Sequence, residues 1–128
     1  MKKVLIIEDE DGIIRRYRAI LEGKVTLIIA KTVEDAERLF MENADADIIV
    51  VDGCLSETFD TGDLVKHIRS TGYSGTMIAN SSMYNEKLLQ AGCNIRCDRG
   101  DKKAVGEQVL QLLSIVVCPL GEVTVTQV

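Results

Sequence analysis

Along the chain, short apolar runs alternate with stretches in which apolar residues return at helical spacing. Strands are predicted at Lys3–Ile7, Val25–Ala30, Asp47–Val51 and Thr76–Asn80, with a fainter one at Asn94–Cys97. The runs "VLII" and "IIVV" contain no polar residue, as expected of central parallel strands covered on both faces. Between the strands, Ile13, Ile14, Tyr17, Ile20 and Leu21 make one helical stripe, with Gly23 placed to cap its C-terminus. A second helix is expected to start at Thr32, with Asp35 three residues on in a near capping-box arrangement, and to present Val33, Ala36, Leu39 and Phe40. A third carries Leu64, Val65 and Ile68 and stops near Gly72; a short fourth covers Asn85–Gln90. The clearest stripe is the last, with Val105, Val109, Leu112, Leu113 and Val116 ahead of Pro119.

Five βα units in succession predict an α/β domain with helices on both faces of a parallel sheet. At 128 residues the expected topology is the flavodoxin-like, doubly wound five-stranded sheet with strand order 2-1-3-4-5. One domain is expected over residues 1–117. The tail, 118–128, alternates Val123 and Val125 with Thr124 and Thr126, so it reads either as an added edge strand or as a disordered end.

Composition narrows the class without choosing a function. With 46% hydrophobic and 27% charged residues, and no apolar run long enough to span a bilayer, a soluble cytoplasmic protein is expected. The net charge of −5 argues against nucleic acid as a direct partner. The four cysteines, at 54, 93, 97 and 118, match no zinc or redox spacing and are expected to be reduced thiols. His67 falls in a helical stretch and is expected at the surface.

The candidate chemistry is acidic. The first strand is followed by Glu8, Asp9, Glu10 and Asp11, and the third by Asp52. In doubly wound sheets ligands bind beyond the carboxyl ends of the strands, at the switch point between strands 1 and 3. That rule brings Glu8, Asp9 and Asp52 together. Carboxylates so close repel by several kcal/mol and persist only with protons or a cation among them. An all-oxygen, half-open site favours Mg²⁺, which keeps several waters and shares phosphate oxygens. Glu10 and Asp11 could instead serve as N-caps of the first helix. Asp52, directly after four β-branched residues, is expected to face the crevice, where a carboxylate can act as nucleophile toward phosphorus.

These residues resemble the receiver domains of two-component response regulators over about residues 3–117. The resemblance rests on "VLIIEDE", "IIVVD", "TMIANSS" and "AGC…CDRG". It implies that Glu8 and Asp9 hold Mg²⁺ (or Mn²⁺) with Asp52 and the Cys54 backbone carbonyl. It also implies that Asp52 accepts phosphate from a histidine kinase or phosphotransfer protein, and that Ser81 donates its hydroxyl to a phosphoryl oxygen. A downstream protein target, no direct nucleic acid or membrane contact, and compatibility with a homodimer follow from the same likeness. The sequence departs from the family where lysine and proline are usual, with Arg99 and Gly100 in their place and Lys102 close by. Arginine keeps the charge but offers a planar fork in place of a compact ammonium. Arg96 occupies the place of the aromatic that moves with the hydroxyl, so transmission should use other contacts. Ser56 stands where proline is usual, in a loop longer than standard.

Two other readings stay open. One is a pseudo-receiver, the same fold used as an interaction module without phosphorylation, which Arg96, Arg99 and Gly100 favour. The other is a haloacid-dehalogenase-type phosphatase with Asp9 as nucleophile and Asp11 as acid/base, suggested by "DEDGI". No glycine-rich cradle follows the first strand, which speaks against flavin or dinucleotide binding.

Overall fold

The computed structural model describes residues 2–52, 54–56, 59–81, 84–98 and 109. In chain order the elements are β1 (Lys3–Ile7), α1 (Asp11–Leu21), β2 (Thr26–Ala30), α2 (Val33–Glu42), β3 (Ile48–Val51), β4 (Cys54–Ser56), β5 (Phe59–Asp60), α3 (Gly62–Ser70), β6 (Thr76–Ser81), α4 (Asn85–Ala91) and β7 (Ile95–Asp98). Five strands pair in parallel in the order β2-β1-β3-β6-β7. With the small β4/β5 hairpin set aside, that is the expected 2-1-3-4-5 topology. The expected last helix and the tail lie outside the described residues, apart from helical, buried Val109.

The two faces of the sheet sort by alternation. Leu5, Ile7, Ile49, Val51, Met77 and Ala79 pack with residues of α2, α3 and α4 in one core. Val4, Ile6, Ile48, Val50 and Ile78 face the other way and pack with Ile13, Tyr17 and Leu21 of α1 and with Val109. This is why β3 is fully apolar: all four of its residues are buried, and its two faces are both inside. Edge strand β2 is only half-buried and starts one residue later than expected. Asp47 stays out of β3 because its carboxylate accepts a hydrogen bond from the Lys3 backbone N–H at 2.8 Å.

Local signals set most helix ends. Thr32 caps α2 by accepting from the Asp35 N–H at 3.0 Å, whereas the Asp35 side chain turns to Arg38 in place of closing a box. Gly23, at φ 84, lies just beyond the α1 C-cap. A less local device holds α3, β6 and α4 together. The Arg69 guanidinium donates to the carbonyls of Gly92 (2.9 Å), Tyr73 (3.0 Å) and Gly75 (2.9 Å) and to Asn94 Oδ1 (2.7 Å). Asn94 Oδ1 also accepts from the Met77 N–H at 2.8 Å, so one arginine gathers the α3–β6 and α4–β7 turns at the start of β6. Tyr73 stacks edge-on against Phe40 and donates its hydroxyl to the Ala46 carbonyl at 2.9 Å.

Two expectations follow. Gly92 sits at φ 142, and a Cβ there would stand 2.7 Å from Arg69 Cγ. Gly92→Ala should therefore destabilise by about 1–3 kcal/mol, read as a lower urea midpoint; an unchanged midpoint would refute the clamp as a constraint. The second concerns alkali. Burial pushes the Cys93 thiol from 9.0 up to about 12 and the Tyr73 phenol from 10.0 up to about 12, against the opposing pull of Arg69 on both. Since both folded values are raised, their contribution is fully present below 9.0 and is lost as pH climbs toward about 12. Urea midpoints should fall across that window, and Cys93→Ala should blunt the early part of the fall; a flat profile would contradict it.

Candidate functional site

The site follows from how β1 and β3 end. They are neighbours, but the chain leaves β1 for β2 on one side and leaves β3 for β6 on the other, which opens a crevice beyond their carboxyl ends. The Glu8 N–H still donates to the Ala30 carbonyl (3.0 Å) and the Asp52 N–H to the Ile7 carbonyl (2.9 Å), so both backbones are fixed by the sheet. Glu8, Asp9 and Asp52 each place a carboxylate oxygen within 4.8 Å of the others'. Glu8 is 1% exposed and Asp52 4%, while Asp9 is more open to solvent. Taking two acids out of water and setting a third against them is unfavourable unless positive charge enters. The donors are all hard oxygens, the set that suits Mg²⁺ or Mn²⁺.

The capping expected of Glu10 and Asp11 takes another form. Glu10 holds the N-cap position of α1 without a side-chain bond, and Glu8 Oε2 accepts the Glu10 N–H at 3.2 Å. Asp11 lies in the first turn and pairs with Lys31 at 2.6 Å, outside the three-acid group. Its hydrogen bond to the Lys31 ammonium holds it below the usual carboxylate range.

On the β6 side, Ser81 is 5% exposed and closes the strand. Its hydroxyl oxygen accepts the Tyr84 N–H at 3.1 Å, and its own N–H donates to Asn85 Oδ1 at 2.8 Å. Asn85, 4% exposed, reaches onward: its Nδ2 donates to the Cys97 carbonyl on β7 at 3.2 Å. Arg96, exposed on β7, pairs with Glu86 of α4 at 3.1 Å. The α4 N-terminus is thus fastened to both strand ends, through Asn85 inside and Glu86 outside. These are contacts that occupy the face where the sequence lacks an aromatic.

Three residues that matter here carry no sequence signal strong enough to single them out. Thr61, fully buried, donates its hydroxyl to the Asp52 carbonyl and makes no side-chain cap bond to α3. It pins the far end of the β4/β5 hairpin to the peptide that carries Asp52. Asn85 is the second, and Asn80, buried beside Asp52 on the next strand, is the third. Cys54 opens β4 two residues past Asp52, with its backbone paired to Asp60. Where a loop with Ser56 was expected, the chain forms this irregular hairpin. Arg99, Gly100 and Lys102 lie outside the described residues. Cys93 is a buried free thiol, Cys97 a half-buried one, and His67 is exposed on α3. Among the described residues, no helix is long and apolar enough to cross a membrane.

No protein-family model matches the chain, and no curated protein gives a significant match. Solved structures do. The N-terminal domain of an uncharacterized protein from Wolinella succinogenes is 21% identical with a TM-score of 0.76, over 93% of this chain and 99% of that one. A two-component response regulator from Clostridium difficile is 20% identical with a TM-score of 0.75, over 88% and 96%. The signal receiver domain of a putative Luxo repressor protein from Vibrio parahaemolyticus is 18% identical with a TM-score of 0.73, over 96% and 98%. The chain therefore has the fold of response-regulator receiver domains.

The acid cluster yields a test that needs no ligand. With divalent ions chelated, Asp52→Asn should raise the melting temperature, because it removes one of three mutually repelling carboxylates. For a domain of this size each kcal/mol recovered is worth roughly 3–6 °C. A lower melting temperature in chelator would mean that the Asp52 charge is already compensated within the protein.

Proposed function

We propose that the protein is a response regulator receiver, phosphorylated on Asp52 and acting by binding another protein. The observation that carries this reading is the Glu8–Asp9–Asp52 group, with Glu8 and Asp52 buried, at the switch point of a receiver fold. Its donors fit a divalent cation, with Glu8, Asp9, Asp52 and the Cys54 backbone carbonyl as the residues that would hold it. When bound, Mg²⁺ supplies positive charge against the oxygens of a transferring phosphoryl group.

The protein's own part is mostly positioning. A carboxylate oxygen of Asp52 forms the bond to phosphorus while the bond from phosphorus to the donor nitrogen or oxygen breaks, its electron pair leaving with the donor. The sheet bond to Ile7 and the Thr61 bond to the Asp52 carbonyl fix the peptide from both sides, so the nucleophile is held before the donor arrives. Ser81 alternates to the face opposite Asn80, so in this reading it reaches a phosphoryl oxygen by turning at the strand end and giving its hydroxyl hydrogen, which a hydroxyl can do while still accepting from Tyr84. Moving Ser81 then strains the Asn85 bridge to β7, so α4 and β7 form the face that reports phosphorylation. Arg99 supplies the cation that balances the modified aspartate. The donor is a histidine kinase or phosphotransfer protein, the place of action is the cytoplasm, and the product is a signalling state with no catalytic turnover of a metabolite.

A second reading, a module that binds partners without phosphorylation, draws on Arg96: an exposed, ion-paired arginine cannot swing into the core as an aromatic can. The phosphatase reading loses support, because its acid/base, Asp11, is exposed and tied to Lys31.

Acetyl phosphate with Mg²⁺ is expected to add one phosphoryl group to the wild type and none to Asp52→Asn, read by intact mass. Ser81→Ala should slow the labelling by about 10-fold or more, the scale of a lost transition-state hydrogen-bond donor. No added mass on the wild type, with a cognate kinase failing too, would favour the unphosphorylated module. Label kept by Asp52→Asn and lost by Asp9→Asn would restore the phosphatase reading.

A further inference from the structure

The three central strands run in register. Ile6 lies opposite Val50, and Val50 opposite Ile78, and all three belong to the core beneath α1. Side chains return to the same face every second residue. Two positions further on, Glu8, Asp52 and Asn80 therefore stand side by side at the carboxyl ends, on strands about 4.8 Å apart. All three are buried, Asn80 at 1% exposure. The Asn80 amide is used at one end only. Its Nδ2 donates to the Tyr17 hydroxyl of α1 at 2.6 Å, and its Oδ1 has no hydrogen-bond partner. A buried amide oxygen without a donor is unfavourable, and native proteins retain few of them.

What such an oxygen can take is a proton donor, and its neighbours are carboxylates, which offer none when ionised. We propose that Asn80 Oδ1 is a further oxygen of the cation site, accepting a hydrogen bond from a water carried by the divalent ion that Glu8, Asp9 and Asp52 hold. This rests on the cation reading of the acidic group given above. The residue type fits the task. A fourth carboxylate would add repulsion to a cluster of three, whereas an amide oxygen adds an acceptor and no charge. Tyr17 is the positioning residue: it engages the amide from the α1 side and leaves the other end of the group for the site. The arrangement also joins α1 to the site through a side chain, since Tyr17 sits one and a half turns into the helix whose N-terminus follows Asp9.

The test is Mg²⁺ binding to the full chain by titration calorimetry, with the Mg²⁺-dependent rise in melting temperature as an independent readout. Asn80→Leu should bind about 10-fold more weakly, the usual scale for losing a group that supports metal-bound ligands. Its melting temperature in chelator should change little, because removing the unpaired buried acceptor offsets the lost bond to the Tyr17 hydroxyl. Asn80→Asp, which keeps an oxygen at the position, should bind at least as tightly as the wild type. Equal affinity of Asn80→Leu and wild type would overturn the proposal. If the leucine variant does not fold, Asn80→Asp decides, and a 10-fold loss there would overturn it equally. A wild type that takes up no Mg²⁺ would remove the cation reading itself, an outcome distinct from a wild type that binds and a variant that binds as well.

Discussion

Everything at the candidate site depends on the parallel, in-register pairing of β1 with β3 and of β3 with β6. Because the strands point the same way and keep step, their carboxyl ends finish at one level. Because side chains alternate, the residues that follow the apolar runs emerge on defined faces. A slip of one residue in β3 would turn Asp52 to the opposite face and bring a neighbour such as Val51 to its place. The same pairing that buries Ile49 and Val51 against α2 and α3 thus sets where the acids stand, and the hydrophobic effect fixes a charged site with no direct contact to it.

Placed this way, the acids form the least comfortable part of the molecule. Glu8 and Asp52 lose water, and Asp9 adds charge beside them. Around them, neutral polar groups hold the backbone. Thr61 spends its hydroxyl on the Asp52 peptide, and Asn85 spans Ser81 and the Cys97 carbonyl. Each of these side chains ties two elements together. Arg69 does the same at the other end of the sheet, donating to carbonyls and an amide oxygen. Rigid ends and a charged centre are the arrangement expected of a site that must be held in geometry before its ligand comes.

The α4–β7 face is built with different parts from those the family resemblance implied. Arg96 lies outside, paired with Glu86, an exposed ion pair worth at most about 1 kcal/mol. Inside, the buried Asn85 bridge carries the connection between strand ends.

Much of this was legible in the sequence. The continuous apolar runs "VLII" and "IIVV" gave β1 and β3, and the helical stripes gave α1 to α4 with errors of a residue or two at their ends. These patterns are local and driven by burial, so they survive without knowledge of the partners. The grouping of Glu8, Asp9 and Asp52 was also foreseeable, because the strand order places the ends of strands 1 and 3 together. What the sequence could not supply was the identity of long-range polar partners. Thr61 reads as a helix cap, Asn80 as the tail of a strand, Asn85 as an ordinary helix start, and Glu10 as a capping acid. Each bond they make or forgo is decided by a group that the fold brings near: the Asp52 carbonyl, the Tyr17 hydroxyl, the Cys97 carbonyl and the Glu8 carboxylate. The sequence by itself determined which segments would be buried and which acids would meet, since periodicity and strand order suffice for both. Only the tertiary structure decided which polar groups would be satisfied there, because a hydrogen bond depends on angstrom-scale placement of two atoms that the chain order holds far apart.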